Sequence, residues 1–238
     1  MNKLATRDEF DSCLNETLPF HEAVRLRHSC RGFLSQPVPD ATIMKVLEDA
    51  HQSPSNCNTQ PWNVHLVSGQ KLAELSTLLQ EKADAGAYTP DFSFDFGDYC
   101  GVYSARQKEQ GKTMYEALGI ARGDEEGQRR VLSMNTSFYS APHVALLFMP
   151  SVGDSVRVAG DIGMYGQTFL LSLAARGLGG VPQTFLGFFA GSIREFLGVS
   201  DQYKLLFGIS FGYPDEEAPA NSFRIGRAPV TDSVTFHS

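Results

Sequence analysis

Three groups of residues in this chain have the types and spacing to hold a charged, planar ligand. The first is "RLRHSCRGF", which sets Arg25, Arg27, His28, Ser29 and Arg31 close together. The chain as a whole carries a formal net charge of −7. A local concentration of guanidinium groups in an acidic protein suits a phosphate or carboxylate, because the planar fork donates paired hydrogen bonds. The alternative is a solvated basic turn. The second group is "SPSNCNTQPW", in which Ser55, Asn56, Cys57, Asn58 and Gln60 precede the single tryptophan, Trp62. Its donors and acceptors match the edge of a polar ring. They also match ordinary turn chemistry between a helix and a strand. The third group is a pair, "GLGGVPQT" and "NSFRIGRAPV". Pro182, Gln183 and Thr184 start an extended piece whose backbone can face a ligand, and Arg224 and Arg227 add late cations.

Other motifs fail on context. "GISFG" matches the G-x-S-x-G nucleophile elbow, but "YPDEEAPA" follows it where a helix is required. Ser210 then reads as a strand residue. "RQKEQGKT" ends like a phosphate loop, yet Arg106 occupies the place of its first glycine. The histidines show no ligand spacing, so no metal site is expected.

Composition sets outer limits. With 238 residues, 42% of them hydrophobic and 20% charged, the chain suits a globular protein of one large domain or two small ones. The acidic balance argues against nucleic acid or an anionic membrane as partner. No apolar run is long enough to span a bilayer. Four cysteines (Cys13, Cys30, Cys57, Cys100) lack CxxC spacing, and the start "MNKLATRDEF" lacks a leader-like run. A cytoplasmic setting with free thiols is the expectation.

The elements that must position these groups follow from periodicity. "LPFHEAVRLRH" reads as a short helix. "PDATIMKVLEDAHQS" reads as a helix opened by Pro39 and Asp40, with Ile43, Val46, Leu47 and Ala50 on one face. "WNVHLVSG" reads as a buried strand, and "QKLAELSTLLQEKAD" as a helix with Leu72, Leu75, Leu78 and Leu79 inward. Residues 84–125 break the pattern. Tyr88, Phe92, Phe94, Phe96, Tyr99 and Tyr103 crowd a loop-like region, which is either a lid over a pocket or irregular chain packed on the core. A helix at "GQRRVLSMNTSFYS" and a buried strand at "HVALLFMP" follow. "VRVAGDIGMYGQTFLLSLAARGLGG" is a long apolar helix, with Gly160, Gly163 and Gly166 at spacing three for close packing. A last helix, a strand at "YKLLFGISFG" and an extended tail complete the chain. Interleaved helices and few strands indicate a sheet covered by helices, of α+β or α/β type.

Taken together and in this order, the three groups resemble the FMN-dependent nitroreductase superfamily, in the aromatic nitroreductase branch with a longer central segment. The resemblance spans nearly the whole chain. It implies an α+β fold with a small, mainly antiparallel sheet between helices, in one domain over residues 1–238. Residues 1–18 would be an N-terminal extension, 84–125 an insertion or lid, and 219–238 an arm embracing a partner protomer in a homodimer. It implies FMN, with Arg27, His28, Ser29 and Arg31 at the phosphate, ribityl chain and pyrimidine edge. Ser55, Asn56, Cys57, Asn58 and Gln60 would come from the partner chain. Backbone at Pro182, Gln183 and Thr184 would face the ring, and Arg227, with Arg224 nearby, would reach the phosphate. Two departures bear on tuning: Thr184 and Phe185 stand where many relatives have Glu-Gly, and Ile225 where many have lysine.

The resemblance further implies ping-pong chemistry: NADH or NADPH delivers hydride to flavin N5, and a nitroaromatic then takes it. No side-chain nucleophile is nominated. Tyr88, Phe92, Tyr103 and Arg106 are the expected acceptor-site residues, rings for stacking and a cation for a carboxylate or nitro group. A dehalogenase, ene-reductase, quinone reductase or non-enzymatic flavin-binding redox protein on the same fold would share these motifs.

Overall fold

The computed structural model describes residues 17–238, so the expected extension over 1–18 lies almost wholly outside the described residues, as does Cys13. Seven α-helices and four strands are described. They run in the order α1 (Phe20–Leu26), α2 (Asp40–His51), β1 (Asn63–Ser68), α3 (Gly69–Asp84), α4 (Gly101–Ala117), α5 (Glu125–Thr136), β2 (His143–Pro150), α6 (Val156–Ala175), β3 (Gly179–Gln183), α7 (Ala190–Leu197) and β4 (Tyr203–Gly212). The strands form one antiparallel sheet in the order β1-β2-β4-β3. The fold is α+β.

Alternation along the central strands sends side chains to two cores, as a period of two requires. Ala145, Leu147 and Met149 of β2 join Ile209 and Phe211 of β4 beneath α2 and α6. Val144, Leu146 and Phe148 join Leu205 against α3, α7 and the turn Thr184–Phe189. The expected inward faces of α2 and α3 are buried or half-buried as read. Gly166 of α6 lies where a Cβ would come within 2.7 Å of the Phe207 ring, so the helix closes on β4 only with glycine there.

Three expectations need correction. The strand at "WNVHLVSG" is not buried: β1 is an edge strand in which only Val67 is buried and Leu66 is exposed. Sheet position decides this, and the local sequence does not report it. Residues 84–125 are not loop-like throughout, since they contain the 17-residue helix α4. No residue of α4 is buried, so its apolar positions have no single core face to mark. Finally, the three glycines of α6 do not act alike. Gly166 packs inside the chain, whereas Gly160 and Gly163 face open space.

The chain near residue 90 is fastened to the second core. Thr89 exchanges hydrogen bonds with Phe188, Gly191 and Ser192. Asp91, with its side chain 4% exposed, pairs with Arg194 and Lys204 and accepts the Leu205 N–H at 2.8 Å.

Candidate active site

The basic run is assembled against β3. After α1 the backbone becomes extended: Ser29 bridges Gly180, and the Cys30 N–H donates to the Gly180 carbonyl at 3.2 Å. A Cβ on Gly179 would sit 2.8 Å from Cys30 Cβ, so a glycine is what lets the run lie flat on the strand. Cys30 is fully buried and burial pushes its thiol pKa up, which makes it a packing residue.

The C-terminal segment closes over this run. Asn221 Oδ1 accepts the Arg31 backbone N–H at 2.7 Å, and its Nδ2 donates to the carbonyls of Gly32 and Asp215, both at 2.8 Å. Arg224 Nη1 donates to the Asn221 and Phe223 carbonyls. Arg227 Nη1 donates to those of Ile225 and Gly226. The Arg31 guanidinium lies 6.0 Å from the Phe223 ring centroid. Arg27, His28, Ser29, Arg31, Arg224 and Arg227 thus line one cleft of about 920 Å³, with Arg25, Gln110 of α4 and Gln167 of α6 also on its wall.

The cleft is electrostatically unbalanced. Among the described residues none of its five arginines has a carboxylate within ion-pair distance. Burial, then the nearby Arg227, lowers the Arg27 pKa. Burial also lowers that of His28; Arg224, Arg27 and Arg31 add to the effect, against a Leu26 carbonyl that raises it. Converging cations that oppose one another's charge are the arrangement an anion relieves.

The polar stretch does not line this cleft within one chain. It sits elsewhere along α6. Asn56 donates its N–H to Asp161 Oδ1 at 3.0 Å, and Ser53 Oγ donates to Thr168 Oγ1 at 2.8 Å. Cys57, Asn58 and Gln60 have φ of 51°, 55° and 47°, a conformation that side chains disfavour. Ser55 Oγ steadies the turn by accepting the Gln60 N–H at 2.9 Å. The side chains of Asn56 to Gln60 remain exposed. Trp62 is half-buried, its ring 5.1 Å from that of Tyr165.

Comparison with known proteins now bears on what fills such a cleft. The family model described as "Nitroreductase family" matches residues 24–213. The chain belongs to the nitroreductase family. It is 40% identical over 213 residues to nitroreductase NfnB of Mycolicibacterium smegmatis, covering 90% of each chain. It is 34% identical over 215 residues to 4-nitrobenzoate reductase of Pseudomonas putida, covering 87% of this chain and 91% of that one. Among solved structures, the FMN-dependent nitroreductase NfnB from Mycobacterium smegmatis in complex with NADPH superposes with a TM-score of 0.88 at 38% identity, over 92% of this chain and 97% of that one.

The remaining candidates of this nitroreductase-family chain are scattered. Gln183 is buried: its Nε2 donates to the Asn135 carbonyl at 3.0 Å, and its Oε1 accepts from Ser210 Oγ, so the serine of "GISFG" is a buried strand residue. Pro182 and Thr184 are exposed. Thr184, Phe92 and Phe94 border a small apolar hollow of about 140 Å³. The Tyr88 ring packs on Phe188 and Phe189, at 5.9 and 5.5 Å between centroids. Tyr103 is exposed on α4, and Arg106 lies 3.7 Å from Asp232 of the tail. Sequence reasoning did not nominate Gln110, Gln167, Asn221, Tyr139 or Asp161. Asn221 opens the quoted "NSFRIGRAPV" and was within reach of inspection; the other four are single polar residues in or beside helices, with no local mark.

Proposed function

We propose that this protein is an FMN-dependent NAD(P)H oxidoreductase that reduces nitroaromatic compounds. The observation that carries the reading is the cleft in which Arg27 and Arg227 converge with no carboxylate among the described residues to neutralise them, in a chain of the nitroreductase family. The residues fit the group. A phosphate monoester takes up the unbalanced guanidinium charge, and the Arg31 end of the cleft, with Ser29 and His28, offers donors to a ring edge. FMN, when bound, supplies the redox chemistry, accepting hydride from NAD(P)H and passing it to the nitro group.

The chain's own residues bind and orient. Arg27 and Arg227 hold the phosphate, with Arg224 adding positive potential. Arg31 places a fixed cation beside the ring, where negative charge develops on reduction. His28 is neutral at pH 7 in the free protein, and its Nδ1 is engaged with the Leu26 carbonyl at 2.8 Å, which leaves Nε2 for the ligand. Backbone at Pro182, Gln183 and Thr184 faces the ring. Tyr88, Phe92, Tyr103 and Arg106 belong to the acceptor side.

The site is completed by a second copy of the chain. Ser55 to Gln60 of that copy close over the cleft in a homodimer, and the tail, anchored to its own chain at Asn221 and Asp232, meets the partner with its exposed remainder. Three surfaces support this. Gly160 and Gly163 leave one face of α6 open, and Val156 and Met164 on that helix are exposed. α1 exposes Phe20, Val24 and Leu26. α4 buries none of its residues within the chain. Exposed apolar side chains on these helices suit an interface. No helix among the described residues is long and apolar enough to cross a membrane, and the cytoplasm is the setting we propose.

The test is direct. Purified protein should carry a flavin absorption band and oxidise NAD(P)H in proportion to added nitroarene. Protein that binds no FMN when supplied with it refutes the reading; flavin-loaded protein with no turnover of any nitroarene leaves a binding protein.

A further inference from the structure

We infer that the protein has a second ligand site, separate from the arginine cleft: a cavity between the start of α3 and the ring of His143 that takes a small organic carboxylate.

The cavity measures about 540 Å³ and shares no lining residue with the arginine cleft. Strand pairing brings its two polar walls together. Ser68 ends β1 and stands just before α3, and His143 begins β2. The two are partners in the antiparallel ladder. Directly opposed residues have Cα atoms about 4.5–5.5 Å apart and carry their side chains on the same face. The first turn of α3 therefore starts beside the imidazole, and both residues line the cavity.

The helix start is open. α3 has 16 residues, yet Ser68 makes no side-chain cap and the first turn holds no acidic residue. A Cβ on Gly69, whose φ is 57°, would meet nothing within 4 Å. The first N–H groups of a helix have no partner inside it, and the helix dipole places partial positive charge there. A carboxylate oxygen answers both.

A helix end alone does not make a site; His143 supplies the second donor. The residue is only 7% exposed. Its Nε2 accepts the Val38 N–H at 2.9 Å, so the ring proton sits on Nδ1. The ring stacks on Phe211, with 5.2 Å between centroids and 22° between planes, which fixes its direction. Nδ1–H has no acceptor among the described residues. A donor held so deep in the protein is costly until an acceptor meets it, and the cavity is where one can enter.

The remaining wall sets the class of ligand. Val38, Leu72, Phe138 and Ala141 are buried apolar residues at the cavity, which suits an apolar body behind the charged head. Asp40, in the first turn of α2, is the carboxylate on the wall. Its charge opposes a doubly charged phosphate more than a singly charged carboxylate.

Benzoate is the probe, with acetate and inorganic phosphate as comparisons, titrated into full-length protein supplied with FMN. The readouts are the heat of binding and the ring-nitrogen NMR resonances of His143, identified by their loss in His143→Gln. Benzoate should bind and shift the Nδ1 resonance. Ser68→Asp sets the chain's own carboxylate at the start of α3, a substitution that an N-cap position favours. It should weaken benzoate about 10-fold or more and leave FMN affinity unchanged. Should that variant fold poorly, Ser76→Phe fills the cavity from an exposed position on α3 and should give the same loss. Benzoate that leaves the His143 resonances unmoved, or that binds the Ser68→Asp and Ser76→Phe proteins as tightly as wild type, lies elsewhere, and the second site is overturned. A parallel loss of FMN affinity in Ser68→Asp overturns its separateness from the arginine cleft. No binding to wild type up to about 10 mM benzoate overturns the site altogether. Acetate or phosphate binding as tightly as benzoate contradicts the class of ligand.

Discussion

Asn221 and Arg31 are 190 positions apart and joined by a 2.7 Å hydrogen bond from the arginine backbone to the asparagine side chain. With its two further bonds to Gly32 and Asp215, Asn221 fastens the C-terminal segment to the basic run, so each half of the cleft depends on the other. Asn221→Ala removes three hydrogen bonds at a buried position, each contributing about 1 kcal/mol. FMN affinity should fall by about tenfold or more, and the tail beyond residue 221 should become more susceptible to limited proteolysis. Asn221→Ala protein with wild-type affinity and wild-type digestion would show that the two segments are held together by something else.

The phosphate assignment predicts parallel losses at two sites. Arg27→Ala and Arg227→Ala should each weaken FMN by about 10- to 150-fold, the range for a charge-assisted hydrogen bond. Both losses should shrink as salt is raised, because screening weakens the wild-type interaction first. Flavin fluorescence titration at two ionic strengths measures this. Unchanged affinity in both variants would place the phosphate elsewhere.

Some of this site is legible in the sequence and some is not, and the division is physical. Arg27, His28 and Arg31 form one visible charged cluster and Arg224 and Arg227 another; only the order of motifs shared with the family joins them in the sequence, and all five line the same cleft. Helices with a core face also declare themselves, as Leu72, Leu75 and Leu79 of α3 do. A helix with no fully buried residue does not, which is why α4 reads as loop. Nor does an edge strand such as β1, whose burial depends on neighbours far along the chain. Asn135 and Asp161 act through partners that sequence spacing cannot bring together. Their value appears only when Gln183 is placed beside Asn135 and the helix α6 beside residue 56.

The polar turn makes its own prediction. Asp161 is 3% exposed and holds the Asn56 N–H, at the entrance to three residues with positive φ, while its Oδ2 has no partner among the described residues. Asp161→Ala should free the turn without touching the arginines. The expected result is FMN binding weakened severalfold together with a less stable dimer, measured by titration and light scattering. Weakened FMN binding with an unaltered dimer would contradict the shared-site arrangement.

Acidity should act through His143. Its Nε2 accepts the Val38 N–H at 2.9 Å, which requires the neutral ring. Burial lowers its pKa below the ordinary 6.5, against a smaller opposing pull from Asp40. A group whose folded pKa is depressed gives its full stability above the unfolded value and loses it as pH falls through the folded one. This contribution should therefore be flat from pH 7 to 8 and decline below about pH 6.5. His143→Gln, which retains an acceptor, should have a shallower decline in melting temperature between pH 6.5 and 5 than wild type. Equal slopes would remove His143 from the account.

The acceptor side is separable from the reductant side. Tyr88→Ala and Tyr103→Ala should slow reduction of the nitroarene while leaving the reaction with NAD(P)H and the melting temperature little changed. Tyr88 is the stricter case, because its ring also packs on Phe188 and Phe189. If both half-reactions fall together with the melting temperature, these rings are structural.

The most direct test of the central claim is a two-step anaerobic mixing experiment on the purified protein supplied with FMN. NADPH or NADH alone should bleach the visible flavin band, and a nitroarene added afterwards should restore it, with one hydroxylamine formed per two hydride equivalents. Protein that retains no flavin, or flavin that bleaches and is not restored by any nitroarene, would contradict the assignment.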